Sequence, residues 1–265
     1  SKFGEKLTRR SGILELMDDL GKSSSSSPDK LCMLGGGNPA HIDQVQQLYR
    51  QRMSEILANG RQFEEMISNY DSPKGSASFT TQMANFLNRH YNWNVSDKNV
   101  CVTNGSQSAF FILFNAIAGD FSDGTTKKIL FPLVPEYIGY ADQGVSPDFF
   151  IGCKPKIEIS GDHRFKYSID FDTLAQIMSD EANDIAAIAL SRPTNPTGNV
   201  ITDDELSQLD NLAKSHGIPL IIDNAYGEPF PNVIFTDSSL IWDDNIILSF
   251  SLSKFGLPNT RTGII

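Results

Sequence analysis

A chain of 265 residues, 40% apolar and 20% charged, is long enough to bury a sizeable core, as one large domain or one domain plus part of another, and its composition excludes a disordered or collagen-like polymer. The formal net charge of -10, with no cluster of Lys and Arg, argues against a nucleic-acid backbone as partner, because that affinity depends on displacing counterions. Cys32, Cys101 and Cys153 are too scattered for a disulfide framework or a zinc site, and no apolar run approaches the roughly 18 residues of a membrane span. With no basic-then-apolar leader after Ser1, a soluble, cytoplasmic protein is expected.

In chain order, ILELMDDL reads as an amphipathic helical piece, and SSSSSPD after it as a low-complexity loop. Val45, Leu48, Met53, Ile56 and Leu57 recur at helical spacing within 43–68. From Val100 the pattern changes to short apolar runs separated by helical stretches. NVCVTN is followed by the helical SQSAFFILFNAIAG, then by KKILFP, DIAAIALS, the helical TDDELSQLDNLAKSHG, IPLIIDN and NIILSFS. Strand and helix in alternation predict a mostly parallel sheet flanked by helices. Thr202 and Glu205 form a capping box that starts one of those helices. RTGII stops within what reads as a starting strand, so the native protein is expected to continue.

In such a sheet, ligands collect beyond the carboxyl ends of the strands. After NVCVT, the turn at Gly105, Ser106 and Gln107 opens a helix, which makes it either a plain N-cap or a cradle for phosphate. After DIAAIALS, two prolines and a glycine restrict the backbone around Asn195, as a surface turn or as a rigid mount for its amide. Asp223 closes the apolar IPLII, where a carboxylate must cap a helix or face a cation, and Tyr226 follows three residues later. Past the last strand stand Ser251, Ser253, Lys254 and Arg261, a hydroxyl-amine-guanidinium set suited to an anion. Lys254 is either a surface lysine or a working amine. Taken together these ends define a ligand with a phosphate, a cationic ring, a phenolic oxygen and an aldehyde, which is pyridoxal 5'-phosphate.

SRPTNPTGN, IDNAYGEPFP and SLSKFGLPNTRTG resemble the fold type I, class I aminotransferases, and the likeness runs from about Leu34 to the end of the chain. LGGGNPA, NYDSPKG, TNGSQSAFFILF and FPLVPEYIGYAD are similar, more narrowly, to a branch acting on valine or alanine and on pyruvate or 2-oxoisovalerate. The resemblance implies an N-terminal arm and small-domain segment over residues 1–45, a cofactor-binding large domain over 46–265, and a C-terminal small domain absent here. It implies that Lys254 forms the internal aldimine and shuttles the substrate proton, and that Asp223 pairs with the pyridine nitrogen. Asn195 and Tyr226 would hold the phenolic oxygen, and Tyr137 would stack on the ring. Gly105, Ser106, Gln107, Ser251 and Arg261 would hold the phosphate. Tyr70 would reach the phosphate of the partner subunit in a homodimer. Gly37, with Asn195, would line the substrate carboxylate pocket.

Asn259 stands where the family usually has glycine, and asparagine tolerates a left-handed backbone better than most residues. The resemblance implies ping-pong transamination between an amino acid and a 2-oxo acid. Rival readings are a lyase or synthase on the same fold, the effector-sensing domain of a transcription regulator, and a nucleotide-binding domain. The last lacks a GxGxxG or a phosphate-loop lysine motif.

Overall fold

The computed structural model describes residues 1–23, 38–180 and 183–265. Up to Tyr91 the named elements are helices: α1 (Lys2–Leu7), α2 (Gly12–Ser23), α3 (Asp43–Ala58), α4 (Gln62–Ser68) and α5 (Ala77–Tyr91). The amphipathic ILELMDDL lies in α2, whereas the serine-rich loop from residue 24 on falls outside the described residues. The helical spacing over 43–68 does not make one helix. It breaks after Ala58, where Gly60 takes a left-handed φ of +57° that a continuing helix cannot accommodate. α5 lies outside the expected elements, yet its buried stripe of Thr80, Met83, Ala84 and Leu87 has the helical spacing i, i+3, i+4, i+7.

The sheet then builds from β1 (Val102–Thr103), β2 (Gly119–Asp120), β3 (Thr126–Phe131), β4 (Phe150–Gly152), β7 (Ile185–Ser191), β8 (Leu220–Asp223), β9 (Ile246–Ser251) and β10 (Gly263–Ile264). β5 (Lys156–Gly161) and β6 (Arg164–Ser168) form a separate hairpin. The strand order is β1-β10-β9-β8-β7-β3-β2, with β4 also on β3. β4, β3, β7, β8 and β9 are parallel neighbours, and the antiparallel pairs involve β1, β10 and β2. NVCVTN, expected as a full strand, pairs over only two residues, because it lies at the sheet's edge.

Three further helices pack on this sheet: α6 (Ser106–Ile117), α7 (Phe171–Ser179) and α8 (Asp203–Ser215). Every residue of β7 is buried, and alternate residues serve opposite faces. Ile188 and Leu190 join Leu220, Ile222 and Leu248 in a core with Leu174, Leu206 and Leu209 of α7 and α8. On the other face the small Ala187 and Ala189 leave room for Phe110 and Phe114 of α6, which pack with Phe131 and Tyr140. A side chain as fully buried as Phe114 contributes about 1.5–3 kcal/mol. Thr202 and Glu205 make the expected capping box at the start of α8. Among the described residues no helix is long and apolar enough to cross a membrane.

Candidate functional site

Strand sense gathers the functional residues on one side of the sheet. β1 is antiparallel to β10, which is antiparallel to β9, so β1 runs with β9 and their carboxyl ends share an edge. Across that edge Thr103 pairs with Gly263, and Gly263 with Ser251. In the next strands Ser249 pairs with Asp223, and Asp223 with Ser191. The turns after β1, β7, β8 and β9 therefore open side by side, and the segment after β3 brings Tyr137 and Tyr140 over them.

Asp223 is 8% exposed, at the end of a strand with no polar residue before it. The Tyr140 hydroxyl donates to its Oδ2 at 2.5 Å, and the Ala225 N–H donates to Oδ1 at 3.0 Å. Both bonds favour the charged form, but burial outweighs them and pushes the carboxyl up to about 6. The rings of Tyr137 and Tyr140 meet edge to face at 5.4 Å, and Tyr140 stacks on Phe131 at 5.5 Å. Burial holds the Tyr137 hydroxyl above its ordinary range, with Asp223 and Tyr226 adding to the rise and Arg261 opposing it. Asp223, Tyr226 and Arg261 thus each act on the Tyr137 hydroxyl.

The turn into α6 is built around glycine. Gly105 is the N-cap with φ +85°, and a Cβ placed there would lie 2.3 Å from Nη2 of Arg261. A Cβ on Gly263 would lie 2.5 Å from the backbone nitrogen of Ser106. The close approach of Arg261 to the opening of α6 therefore depends on Gly105 having no side chain, and the packing of β10 against that opening on Gly263 having none. As N-cap, Gly105 offers no side-chain acceptor, so the first N–H groups of α6 stay available to an anion, next to a guanidinium. Ser251 is buried, and its hydroxyl accepts from the Ser253 N–H at 3.2 Å. The Gln107 side chain is committed elsewhere: Nε2 donates to the Gly139 carbonyl at 3.0 Å, so of this residue the backbone N–H is what remains for the turn.

Lys254 follows β9 in a turn, half-buried, with Nζ 5.3 Å from the centroid of the Tyr226 ring. Asn195 is half-buried in a loop closed by Thr194 N–H to Asn199 O and Gly198 N–H to Thr194 O, both 2.8 Å. Arg192, buried beside it, is occupied in structural bonds to the Ile201 and Ser239 carbonyls and to Asp203. Tyr70 faces solvent in this chain. It is 105% exposed, ahead of the tight Ser72–Gly75 turn whose Lys74 carbonyl accepts from the Val102 N–H. Gly37 lies outside the described residues.

Two residues at the site were not among the expected ones. Tyr140 holds Asp223, and Glu136 binds the end of β7 through Ser191. Both stand in PEYIGY beside Tyr137, and a glutamate amid apolar residues was the available signal.

Comparison with known proteins adds an independent line. The family model described as aminotransferase class I and II matches residues 34–265. The chain is similar to the valine–pyruvate aminotransferase of Escherichia coli K12, 49% identical over 265 residues, which are 100% of this chain and 62% of that protein. Among solved structures it is similar to a protein from Psychrobacter arcticum 273-4 assigned to the amino-acid aminotransferases, with a TM-score of 0.91, 47% identity, and coverage of 100% of this chain and 63% of that one. It is also similar to the valine-pyruvate aminotransferase from Salmonella typhimurium LT2, with a TM-score of 0.79, 46% identity, and coverage of 96% and 60%. The chain thus spans about three fifths of the length of these relatives.

Proposed function

The chain belongs to the class I and II aminotransferase family, and from that premise we propose that, within its full-length protein, it transfers an amino group between an L-amino acid, valine or alanine, and a 2-oxo acid, pyruvate or 2-oxoisovalerate. Pyridoxal 5'-phosphate fits the residues present. Asp223 is a buried carboxyl that no Lys, Arg or His accompanies among the described residues, and a cationic ring nitrogen would supply the missing charge. The glycine-lined approach of Arg261 to the start of α6 supplies what a phosphate dianion needs. The Asp223 carboxyl, buried with no cation paired to it among the described residues, is the observation that carries the reading.

When bound, that cofactor supplies an aldehyde able to exchange amines and a ring able to take up negative charge from the substrate Cα. Asp223 would hold the ring nitrogen's proton in place. Tyr140, whose hydroxyl donates to Asp223 Oδ2, would keep the carboxylate oriented. Tyr137 would cover one ring face, and Asn195 and Tyr226 would hold the phenolic oxygen. Gly105, Ser106, Gln107 by its backbone, Ser251 and Arg261 would hold the phosphate. The amine of Lys254 would anchor the aldehyde and, once freed by the incoming substrate, move the proton from the substrate Cα. Gly37 and Asn195 would line the substrate carboxylate.

A homodimer accompanies this reading. α3 and α4 bury none of their residues, and Leu48, Met53, Leu57, Met66 and Ile67 are exposed. Tyr70, beyond α4, would then reach the partner subunit's phosphate. A cytoplasmic location accords with the free thiols of Cys101 and Cys153. The preference for valine rests on the identity to the Escherichia coli enzyme.

The test is to mix full-length protein, loaded with pyridoxal 5'-phosphate, with valine and pyruvate and to follow alanine and 2-oxoisovalerate. Stoichiometric formation of both is expected, with a loss of about 10²–10⁴-fold in Lys254→Ala. Release of ammonia or carbon dioxide without alanine would overturn the assignment.

A further inference from the structure

Glu136 enters none of the roles above, yet its carboxyl is fastened at the centre of the site. Oε1 accepts from the Ser191 N–H at 2.9 Å, Oε2 contacts the Ser191 hydroxyl, and Oε2 also accepts from the Tyr137 N–H at 3.3 Å. Ser191 is the last residue of β7 and the register partner of Asp223. Arg192 next to it donates its backbone N–H to the Asp223 carbonyl at 2.9 Å. One side chain therefore spans from the segment after β3 to the strand end flanking Asp223. The short segment it pins carries Tyr137, and, through the turn closed by Tyr140 N–H to Tyr137 O at 3.0 Å, Tyr140.

Two carboxyls, Glu136 and Asp223, thus lie at adjacent strand ends. The titratable groups facing Glu136 are Asp223 from β8 and Tyr137 and Tyr140 from its own segment, and no cation pairs with it among the described residues. Two buried carboxylates so placed cannot both be charged at modest cost. Asp223 has the Tyr140 hydroxyl and, on the reading above, the ring nitrogen to stabilise its charge. Glu136 has neither. Burial together with Asp223 pushes the Glu136 carboxyl up to about 8, against the opposing bonds from Ser191 and Tyr137.

We propose that Glu136 is a positioning residue of this site: a neutral carboxylic acid that fastens the Glu136–Tyr140 turn to the end of β7 and so sets the Tyr137 ring and the Tyr140 hydroxyl against Asp223. Its neutrality matters as much as its reach. A second negative charge beside Asp223 would raise the proton affinity of Asp223 and of every basic group of the bound cofactor.

This inference rests on the proposed function, and one experiment separates the two. Full-length wild-type protein, Glu136→Gln and Glu136→Ala are prepared without cofactor. Each is titrated with pyridoxal 5'-phosphate, and the visible absorbance of the loaded protein is then followed against pH. Glutamine keeps an acceptor for the Ser191 N–H and a donor for its hydroxyl and gives up only the longer bond from the Tyr137 N–H, so Glu136→Gln is expected to bind within about twofold of wild type with an unchanged midpoint, while Glu136→Ala binds at least about tenfold more weakly. A midpoint lowered by about one pH unit or more in Glu136→Gln would mean that the native residue is ionised and would overturn the proposal. Equal binding by Glu136→Ala would overturn it as well. Should Glu136→Ala not fold, Ser191→Ala, which removes the hydroxyl partner from the other side, is expected to weaken binding severalfold, and unchanged binding there counts against the proposal. A wild-type protein that stays colourless with the cofactor removes the proposed function itself, whereas a coloured wild type with any overturning result above removes only the role of Glu136.

Discussion

Asp223 concentrates the physics of the site in one residue. Its strand places it, burial raises its proton affinity, and two hydrogen bonds hold it against that pressure. Asp223→Asn should keep the fold, because the amide is isosteric, and lower transamination by about 10²–10³-fold, read from steady-state rates of the full-length enzyme. Glu136 gives a stability prediction whose sign follows from its raised proton affinity. A carboxyl moved from its ordinary value of 4.5 to about 8 on folding stabilises the native state fully below 4.5 and loses that contribution as pH rises to about 8. Glu136→Gln is immune to this loss. In cofactor-free protein its advantage over wild type should be small at pH 5 and reach a few kcal/mol by pH 8.5, measured by thermal unfolding at both values. A difference that stays flat with pH would mean that Glu136 is already ionised in the fold. Asp223, Lys254 and Arg261 were legible because charged side chains stood out at the ends of apolar runs. Glu136 and Tyr140 were not, since their meaning depends on Ser191 and Asp223, which lie 55 and 83 positions away.

At the level of elements, local sequence signals held wherever a segment's own pattern matched its burial. β7 and β8 are apolar up to their last residue, and β9 is broken only by Ser249 before its own end, because all three lie between neighbours on both sides and layers on both faces. The Thr202–Glu205 box closes in full, and Glu205 also accepts from the Ile169 N–H at 3.0 Å, tying α8 to the start of α7. Thr202→Ala should therefore cost about 1 kcal/mol, measured by denaturant unfolding, and leave the cofactor spectrum of the loaded enzyme unchanged. Where the pattern was ambiguous, geometry decided. The spacing through 43–68 carries on past Gly60, but the left-handed residue there ends α3. The β5–β6 hairpin, turning at His163 with φ +61°, carries Ile157, Ile159 and Phe165 outward, so its alternation marks no buried face.

At the scale of the whole molecule, the apolar side chains of α3 and α4 stand exposed among the described residues. α3 has the apolar spacing of a packed helix and buries none of its residues within one chain. On the homodimer proposed above, a second copy covers it. In full-length protein, Met53→Asp together with Leu57→Asp should shift the species from dimer to monomer by light scattering. The same pair should weaken cofactor retention, because Tyr70 would no longer reach across. Dimers that persist with full retention would place the interface elsewhere.

By itself the sequence determined the alternation of strand and helix, the polar and charged residues at the strand ends, and the family those ends resemble. These are properties of contiguous residues: hydrophobic period, turn chemistry, and charge at the edge of an apolar run. Only the tertiary structure decided that Arg261 lies against Gly105, that Tyr140 rather than a cation meets Asp223, and that Glu136 is tied to Ser191. Those are relations between strands distant in the chain, set by sheet order and register, and no local pattern encodes the distance between them.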